Sequence, residues 1–596
     1  MLRVADYVIN RLVGESIRHI FMITGRGILY LTDAVAKNDD IDAVFTYHEQ
    51  GASYAAMAYA AKTEKMGACL VSTGCASTNA VTALLCAWQD NLPIIFISGQ
   101  NHLNETTYHT KSKKRTFGSQ ESNIIEIVKS ITKYSVMVED PNDIGQILDE
   151  AFHKANSGRK GPVWIDIPLD IQNFRIDENS IDRLNDADTL NECDYDDVSF
   201  VANGLYQSSR PVILIGGGIR CAQAIDEVKK MAENKGIPIV FTTTAADVFG
   251  SGNINSIGAV GSLGGSRAGN FAVQNSDYVL AIGTKLSQQT TGDPSYFARD
   301  AEIVSVNIDP AEFENSDVPF IRTIVSDAKS FLERLYSCYQ PKEEHGLWMK
   351  KCMRWKELFS IPNEPFINEL KREDTIDLYG FSLVLSEHLD NDSTVITDAG
   401  FEELIIPSAI RYHDNQRCIF PSNQGAMGFA IPAIIGAYYA GAKKIVTVVG
   451  DGSAMMNIQE LQIIASKKIP VTIFVINNNM YAVIRKRQHD LFRSRTIGND
   501  PSDGLSCPDY SRISHGFGLD YCKIDGLKNL ENSMAEMLKN DSPMICEVMC
   551  TSDQKYLHTS IAINEEKKII KRSLEDLSPF LSRDIIRTEL ITDYLG

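Results

Sequence analysis

Residues 443–481, KKIVTVVGDGSAMMNIQELQIIASKKIPVTIFVINNNMY, decide how this chain is read. Residues 445–449 are a short apolar, β-branched run, the pattern of a strand buried on both faces. Gly450 and Gly452 flank Asp451, so the backbone there can turn tightly and come close to a ligand. Apolar residues at helical spacing predict a helix over 455–467, and a second buried strand over 471–476 delivers Asn477, Asn478 and Asn479 to the same sheet edge. Ligands of open parallel sheets bind beyond the carboxyl ends of the strands. Asp451 and Asn478 leave two such ends, and both offer hard oxygen. Magnesium takes about six oxygens, usually shared between a carboxylate, water and a phosphorylated ligand. A helix starting near Ser453 would add free N–H groups and a positive dipole end for those phosphates. The stretch therefore predicts a site for a metal-bound diphosphate. An isolated Gly-Asp-Gly is usually only a turn; here 24 residues, 453–476, separate it from Asn477-Asn478, room for a helix and a strand.

The length, 596 residues, predicts three or four domains. The net charge of −19 argues against nucleic acid or an anionic membrane as the main partner, although a local basic pocket can still hold an anionic substrate. Residues 1–10 lack a basic segment followed by an apolar one, and no apolar run approaches the length of a membrane span. The twelve cysteines form no CxxC or Cys/His zinc spacing, and Cys69, Cys86 and Cys546 read as small buried residues. These features predict a cytoplasmic protein.

Strands over 19–23, 43–47, 68–72 and 93–98 alternate with helices over 50–62 and 77–89, the pattern of a doubly wound parallel sheet. Glu49 ends one strand where a helix begins. A carboxylate there can simply complement the helix N-terminus, and spacing alone does not favour catalysis. Residues 176–200, rich in Asp and Asn, read as a linker. The middle region to about 340 opens on strand, Gly-rich turn, helix, strand, and a charged amphipathic connector covers about 341–370.

Together these motifs resemble the thiamine diphosphate enzymes of the acetolactate synthase family. GDG, the spacer and NN match its diphosphate motif; HEQGA (48–52) matches RHEQGA, STGCASTN (72–79) TSGPGATN, SGQ (98–100) TGQ, and GSQES (118–122) the FQE element. The resemblance implies an α/β fold of three doubly wound parallel-sheet domains: pyrimidine-binding (1–180), central (190–340) and diphosphate-binding (366–555), with a tail (556–596) outside the common core. It implies Glu49 as the catalytic glutamate, with Gln120 and Arg26 near the reaction centre. Cofactor contacts would come from Gly25, Thr73, Asn79, Gly425, Met427, Gly450, Asp451, Gly452, Ser453, Ala454, Asn478 and Tyr481. Asp451, Asn478 and the Met480 carbonyl would hold magnesium. The expected substrates are a 2-oxo acid and a carbonyl acceptor, and the expected assembly is a homodimer or homotetramer sharing each site between subunits.

The central region carries GGG (216–218), GAVGSLGGSRAGN and VNIDPAEF, which resemble the family's FAD-binding domain. In its GARFDDRVTG element this chain has GTKLSQQTTG (283–292), with Lys285 and Gln289 in place of two arginines, so FAD stays an open expectation. Other departures bear on the substrate. Arg26 replaces the second glycine of a pair, Arg487 in RKRQ (485–488) stands where a tryptophan shapes the acceptor pocket, and Phe401-Glu402 replace a Gln-His pair that touches the diphosphate. Cations gained at 26 and 487 and lost at 289 imply an acceptor other than pyruvate or 2-oxobutyrate, such as a nucleotide keto sugar; alternatively both arginines face solvent or pair with carboxylates. A hydrolase of a cyclic diketone and a non-catalytic cofactor-binding relative are the other readings, and Glu49 speaks against the second.

Overall fold

The computed structural model describes residues 1–178, 182–183, 193–413, 415–563 and 569–593. Alternating buried runs and helices build three six-stranded sheets, each parallel throughout. Across the first sheet lie Asp42–Phe45, His19–Met22, Gly67–Val71, Ile94–Gln100, Val163–Pro168 and Tyr134–Met137. Across the third lie Arg417–Ile419, Thr394–Thr397, Ile445–Gly450, Val471–Asn477, Met544–Met549 and Asp520–Asp525. Both follow one order along their own segment: second, first, third, fourth, sixth, fifth.

The middle sheet is different. Ser256–Ala259, Ile239–Phe241, Pro211–Ile215, Tyr278–Ile282, Glu302–Asn307 and Phe320–Val325 run third, second, first, fourth, fifth, sixth. That is the order of dinucleotide-binding folds, whose ligands sit where the first and fourth strands diverge.

The first and third sheets share one core through two crossed helices, Glu49–Thr63 and Ala430–Tyr439. They approach so closely that a Cβ at Gly436 would lie 2.0 Å from the Ala55 carbonyl oxygen, which is why small residues fill the crossing. The middle sheet joins them through ion pairs: Arg220 reaches Glu64 at 2.8 Å and Asp247 at 3.0 Å, and Asp247 also pairs with Arg417.

The structure departs from these expectations in two places. The helix over 455–467 is instead a run of turns, a 3₁₀ turn Ile458–Glu460 and a short helix Leu461–Ser466. Ser453 Oγ donates to Asp398 at 2.7 Å and accepts from Gly428 N, while Asn457 Nδ2 donates to Gly428 O and Gln50 Oε1. These side chains draw the segment out of helical register, so no α-helix starts at Ser453. Residues 179–181 and 184–192 of the expected linker lie outside the described residues, and helix Tyr195–Gln207 begins within its end. The tail packs onto the central region. Leu574 and Leu577 are buried, Glu575 meets Gln274 and Arg299, and Glu589 gathers Lys351, Arg354 and the Trp355 indole N–H, all on the central region and its connector helix Glu344–Leu358. Among the described residues no helix is long and apolar enough to cross a membrane.

Candidate cofactor and acceptor site

Strand register sets the first half of the site. Gly450 pairs with Ile476, so Asp451 and Asn477 leave neighbouring strands at one level, and Asp451 N donates to Ile476 O at 3.0 Å. The Asp451 carboxylate, 4 % exposed, accepts from Asn479 N and Gly452 N, each at 2.7 Å. Burial pushes it up to about 6 while those backbone N–H groups pull it down, and no cation of the described residues pairs with it. Met480 N donates to Asn478 Oδ1 at 3.2 Å, keeping those two residues together. Tyr481 covers Gly452, where a Cβ would lie 2.0 Å from its ring; only glycine fits under that ring.

Among the described residues no three His, Cys, Asp or Glu side chains gather as a metal cluster. The donors present suit a hard cation that takes one buried carboxylate, an amide and a carbonyl from the protein and its remaining oxygens from water and a diphosphate. Above this edge the turn before Ala430–Tyr439 holds Gly425 and Gly428 in left-handed conformations (φ 54° and 79°), with half-buried Met427 between them. The Glu402 carboxyl lies against Gly400 and Gly450, facing the same edge, whereas Phe401 is core, its ring 5.1 Å from that of Tyr556. Glu402 and Glu403 are both pushed up to about 8, chiefly by burial.

The second half lies on the first sheet. Glu49 is the first residue of its helix, behind His48, whose Nδ1 accepts from Gln50 N. Glu49 Oε2 accepts from Asn79 Nδ2 at 2.9 Å. Gly25 and Gly27 lie directly on Ser72 and Thr73, and Gly27 N donates to Ser72 Oγ at 3.1 Å. Gln120, left-handed at φ 62°, rests its carbonyl on Gly74, so the loop after Ile94–Gln100 closes over the same edge. Gly25, Arg26, Glu49, Thr73, Asn79 and Gln120 thus share the carboxyl end of this sheet. Arg26 is exposed and in no ion pair of the described residues.

One residue was not anticipated. Glu460, fully buried, accepts from Tyr47 N (3.1 Å) and His48 N (3.1 Å), the two amides before Glu49. Its Oε1 would be 2.5 Å from a Cβ at position 51, so the glycine of HEQGA is there to admit Glu460. With the Asn457–Gln50 bond of 3.0 Å, the segment after Asp451 is tied to the helix start that carries Glu49. Burial pushes Glu460 up to about 7. The available signal was the glycine itself, one turn into a helix.

A cavity of about 440 Å³ adjoins Gly425 and is lined by Gln289, Glu403, Gln424 and Arg487. In RKRQ, Arg485 pairs with Asp500 at 2.7 Å and Lys486 with Asp490 at 3.4 Å, while Arg487 has no carboxylate among the described residues. Beside it, two cavities of about 220 and 370 Å³ lie at the switch point of the middle sheet, lined by Gly218, Gly283, Thr284, Lys285, Arg159 and Lys160. Gln289 separates the first of these from the Gly425 cavity.

Three family models match this chain: the thiamine pyrophosphate enzyme N-terminal TPP binding domain over residues 2–127, the central domain over 198–335, and the C-terminal TPP binding domain over 398–548. The chain belongs to the thiamine pyrophosphate enzymes, in their acetolactate synthase-like family, and is an enzyme dependent on that cofactor. It is 30 % identical over 570 residues to an acetolactate synthase of Arthrospira platensis, covering 92 % of this chain and 94 % of that one. It is 28 % identical over 559 residues to the acetolactate synthase large subunit of Lactococcus lactis subsp. lactis (strain IL1403), covering 93 % of each. The large subunit of Porphyra purpurea is 28 % identical over 560 residues, covering 92 % of each.

Proposed function

We propose that this chain is a magnesium- and thiamine diphosphate-dependent 2-oxo acid decarboxylase and carboligase whose acceptor is anionic, a nucleotide-activated keto sugar being the kind of molecule meant. Arg487 carries the acceptor class. It lines the cavity next to Gly425 without a carboxylate partner among the described residues, in a chain of net charge −19 where its neighbours Arg485 and Lys486 are paired. An unpaired guanidinium facing a cavity gains most from a phosphate or carboxylate, which it can bind through two hydrogen bonds. Arg26, in no ion pair of the described residues and on the other sheet edge, supports the same choice.

Thiamine diphosphate, when bound, supplies the carbanion chemistry that releases carbon dioxide from the donor and joins the remainder to a carbonyl. The chain's own residues place it and move its protons. Glu49, steadied by Asn79, would exchange a proton with a pyrimidine nitrogen, with Gly25 and Thr73 beside it. The Gly425 carbonyl would accept from the pyrimidine amino group, and Met427 would support the ring. Asp451, Asn478 and the Met480 carbonyl would hold magnesium; Gly450, Gly452, Ser453, Ala454 and Tyr481 would enclose the diphosphate. Gln120 and Arg26 would face the reacting end.

Glu49 and Asp451 sit on different sheets, and we assign completion of the site to a second copy of the chain. Leu29 (56 % exposed) and Tyr47 (59 %) flank one half-site, and Met456 (48 %) flanks the other; these are apolar surfaces a dimer would cover. The test is mass spectrometry of products from pyruvate with a panel of acceptors. An adduct of a nucleotide keto sugar is expected. Acetolactate alone would overturn the anionic acceptor, and ring opening of a cyclic diketone would favour a hydrolase. Visible absorbance of the purified protein reads whether the central cavities hold a flavin.

A further inference from the structure

We propose that Cys522 and Cys546 form a peroxide-oxidisable dithiol whose closure weakens the metal-binding loop. Cys522 lies on Asp520–Asp525, the edge strand of the third sheet, directly opposite Cys546 on Met544–Met549. Their Sγ atoms are 3.0 Å apart, with Met537 Sδ at 3.5 and 3.3 Å from the two sulfurs. A disulfide needs S–S of roughly 2.05 Å and Cα atoms about 4.4–6.8 Å apart. Neighbouring strands, roughly 4.8 Å apart, already meet the second requirement. Cys546 is fully buried and Cys522 half-buried at the sheet edge, so a small oxidant reaches Cys522 first.

The residues next to these cysteines connect the pair to the site. The Tyr521 hydroxyl donates to Glu547, and Asn477 Nδ2 donates to the same carboxylate at 2.5 Å. Asn477 Oδ1 in turn accepts from Asn479 N at 2.9 Å, and Asn478 lies between them. Side chains alternate across a strand, so Tyr521 and Glu547 occupy one face and the two cysteines the other. Drawing the sulfurs together by about 1 Å to reach disulfide length tilts the two strands on which the Tyr521–Glu547–Asn477 chain is strung.

The chemistry balances with a hydroperoxide as oxidant. Cys522, half-buried at the sheet edge where Cys546 is fully buried, is the thiol that meets the peroxide and acts as the nucleophile. Its thiolate attacks the peroxide; the O–O bond breaks, an S–O bond forms, and the hydroxide that leaves takes up the proton shed by the Cys522 thiol as a first water. The Cys546 sulfur then attacks Cys522 sulfur, and its proton departs with the hydroxide as a second water. Two thiols lose two electrons and two protons, and a thiol reductant reverses the step by exchange.

The effect on affinity rests on the assignment of magnesium to Asp451 and Asn478, whereas formation of the bond does not. The full-length protein is treated with hydrogen peroxide, free thiols are blocked with N-ethylmaleimide, and peptides are weighed. The 522 and 546 peptides should appear joined and two hydrogens lighter, and Cys546→Ser should leave a sulfenic acid at Cys522 that dimedone traps. Calorimetry of the oxidised protein with thiamine diphosphate and magnesium should show affinity lowered by about 10-fold, the low end for losing a group that orients a metal ligand. Dithiothreitol should restore it, and Cys522→Ser should show no change. If both thiols stay alkylatable while exposed Cys75 and Cys338 oxidise, the dithiol is refuted. If the peptides join and affinity equals that of the reduced protein, the link to the metal loop is refuted.

Discussion

Gly51→Ala tests how tightly Glu49 is held. A Cβ at position 51 would lie 2.5 Å from Glu460 Oε1 and 2.8 Å from its Cδ, where ordinary contact begins near 3.4 Å. Glu460 is fully buried and bonded to Tyr47 N and His48 N, so it has no free rotamer to escape into. The helix start and Glu460 must therefore part by roughly 0.9 Å, stretching both backbone bonds beyond hydrogen-bond length. Leaving two such donors unmade costs about 1–3 kcal/mol each, against roughly 1 kcal/mol regained by replacing glycine with alanine inside a helix. A net loss of about 1–5 kcal/mol is expected in urea denaturation of the apo protein. A displacement near 1 Å at a proton-transferring group costs about 10²-fold in rate. Hydrogen–deuterium exchange at C2 of bound thiamine diphosphate, followed by NMR after acid quench, should slow by that factor at saturating cofactor. Exchange within two- to three-fold of wild type would mean that the Glu460 contact does not position Glu49.

Asp451→Ala should abolish magnesium-dependent thiamine diphosphate binding in calorimetry, since it removes the carboxylate assigned to the ion; undiminished binding would sink the metal assignment. Arg487→Gln should raise the KM for an anionic acceptor by about 10- to 100-fold, the worth of a hydrogen bond to a charged group, with pyruvate self-condensation unchanged; an equal effect on both would place Arg487 outside the acceptor contact. Burial raises Asp398 to about 7, Glu402 and Glu403 to about 8 and Glu460 to about 7. The folded state thus holds protons that the unfolded state has released, and stability from these groups falls as pH rises from about 5 to 8. The apo protein's Tm should drop across that range and Glu402→Gln should flatten the slope; a rise in wild-type Tm would contradict the burial of these acids.

Sequence patterns were most informative where chemistry and backbone geometry coincide. The Gly-Asp-Gly turn, its spacer and the asparagine run put Asp451 and Asn478 on one edge because a strand delivers each, and strand periodicity does not depend on distant contacts. The helix expected over 455–467 failed because Met455 and Met456 are apolar yet exposed (42 % and 48 %), while Ser453 and Asn457 spend their side chains on Asp398, Gly428 and Gln50. Glu460 was invisible for a related reason: its partners, Tyr47 and His48, are on another sheet's segment. Nor does RKRQ reveal that Arg485 and Lys486 are paired while Arg487 has no carboxylate among the described residues. Where the charged tail docks was not legible either, because its carboxylates find their partners, Arg299, Lys351 and Arg354, only in three dimensions.

If Glu49 moves a proton for a cofactor anchored at Asp451, C2 exchange in Glu49→Gln must report it, whatever the substrate. Glutamine keeps the size of the side chain and the bond to Asn79 but cannot relay a proton. Calorimetric affinity for thiamine diphosphate and magnesium should hold, while exchange slows by about 10²- to 10⁴-fold, the usual contribution of general acid–base help. Exchange at the wild-type rate would contradict the account and leave Glu49 as no more than the first residue of its helix.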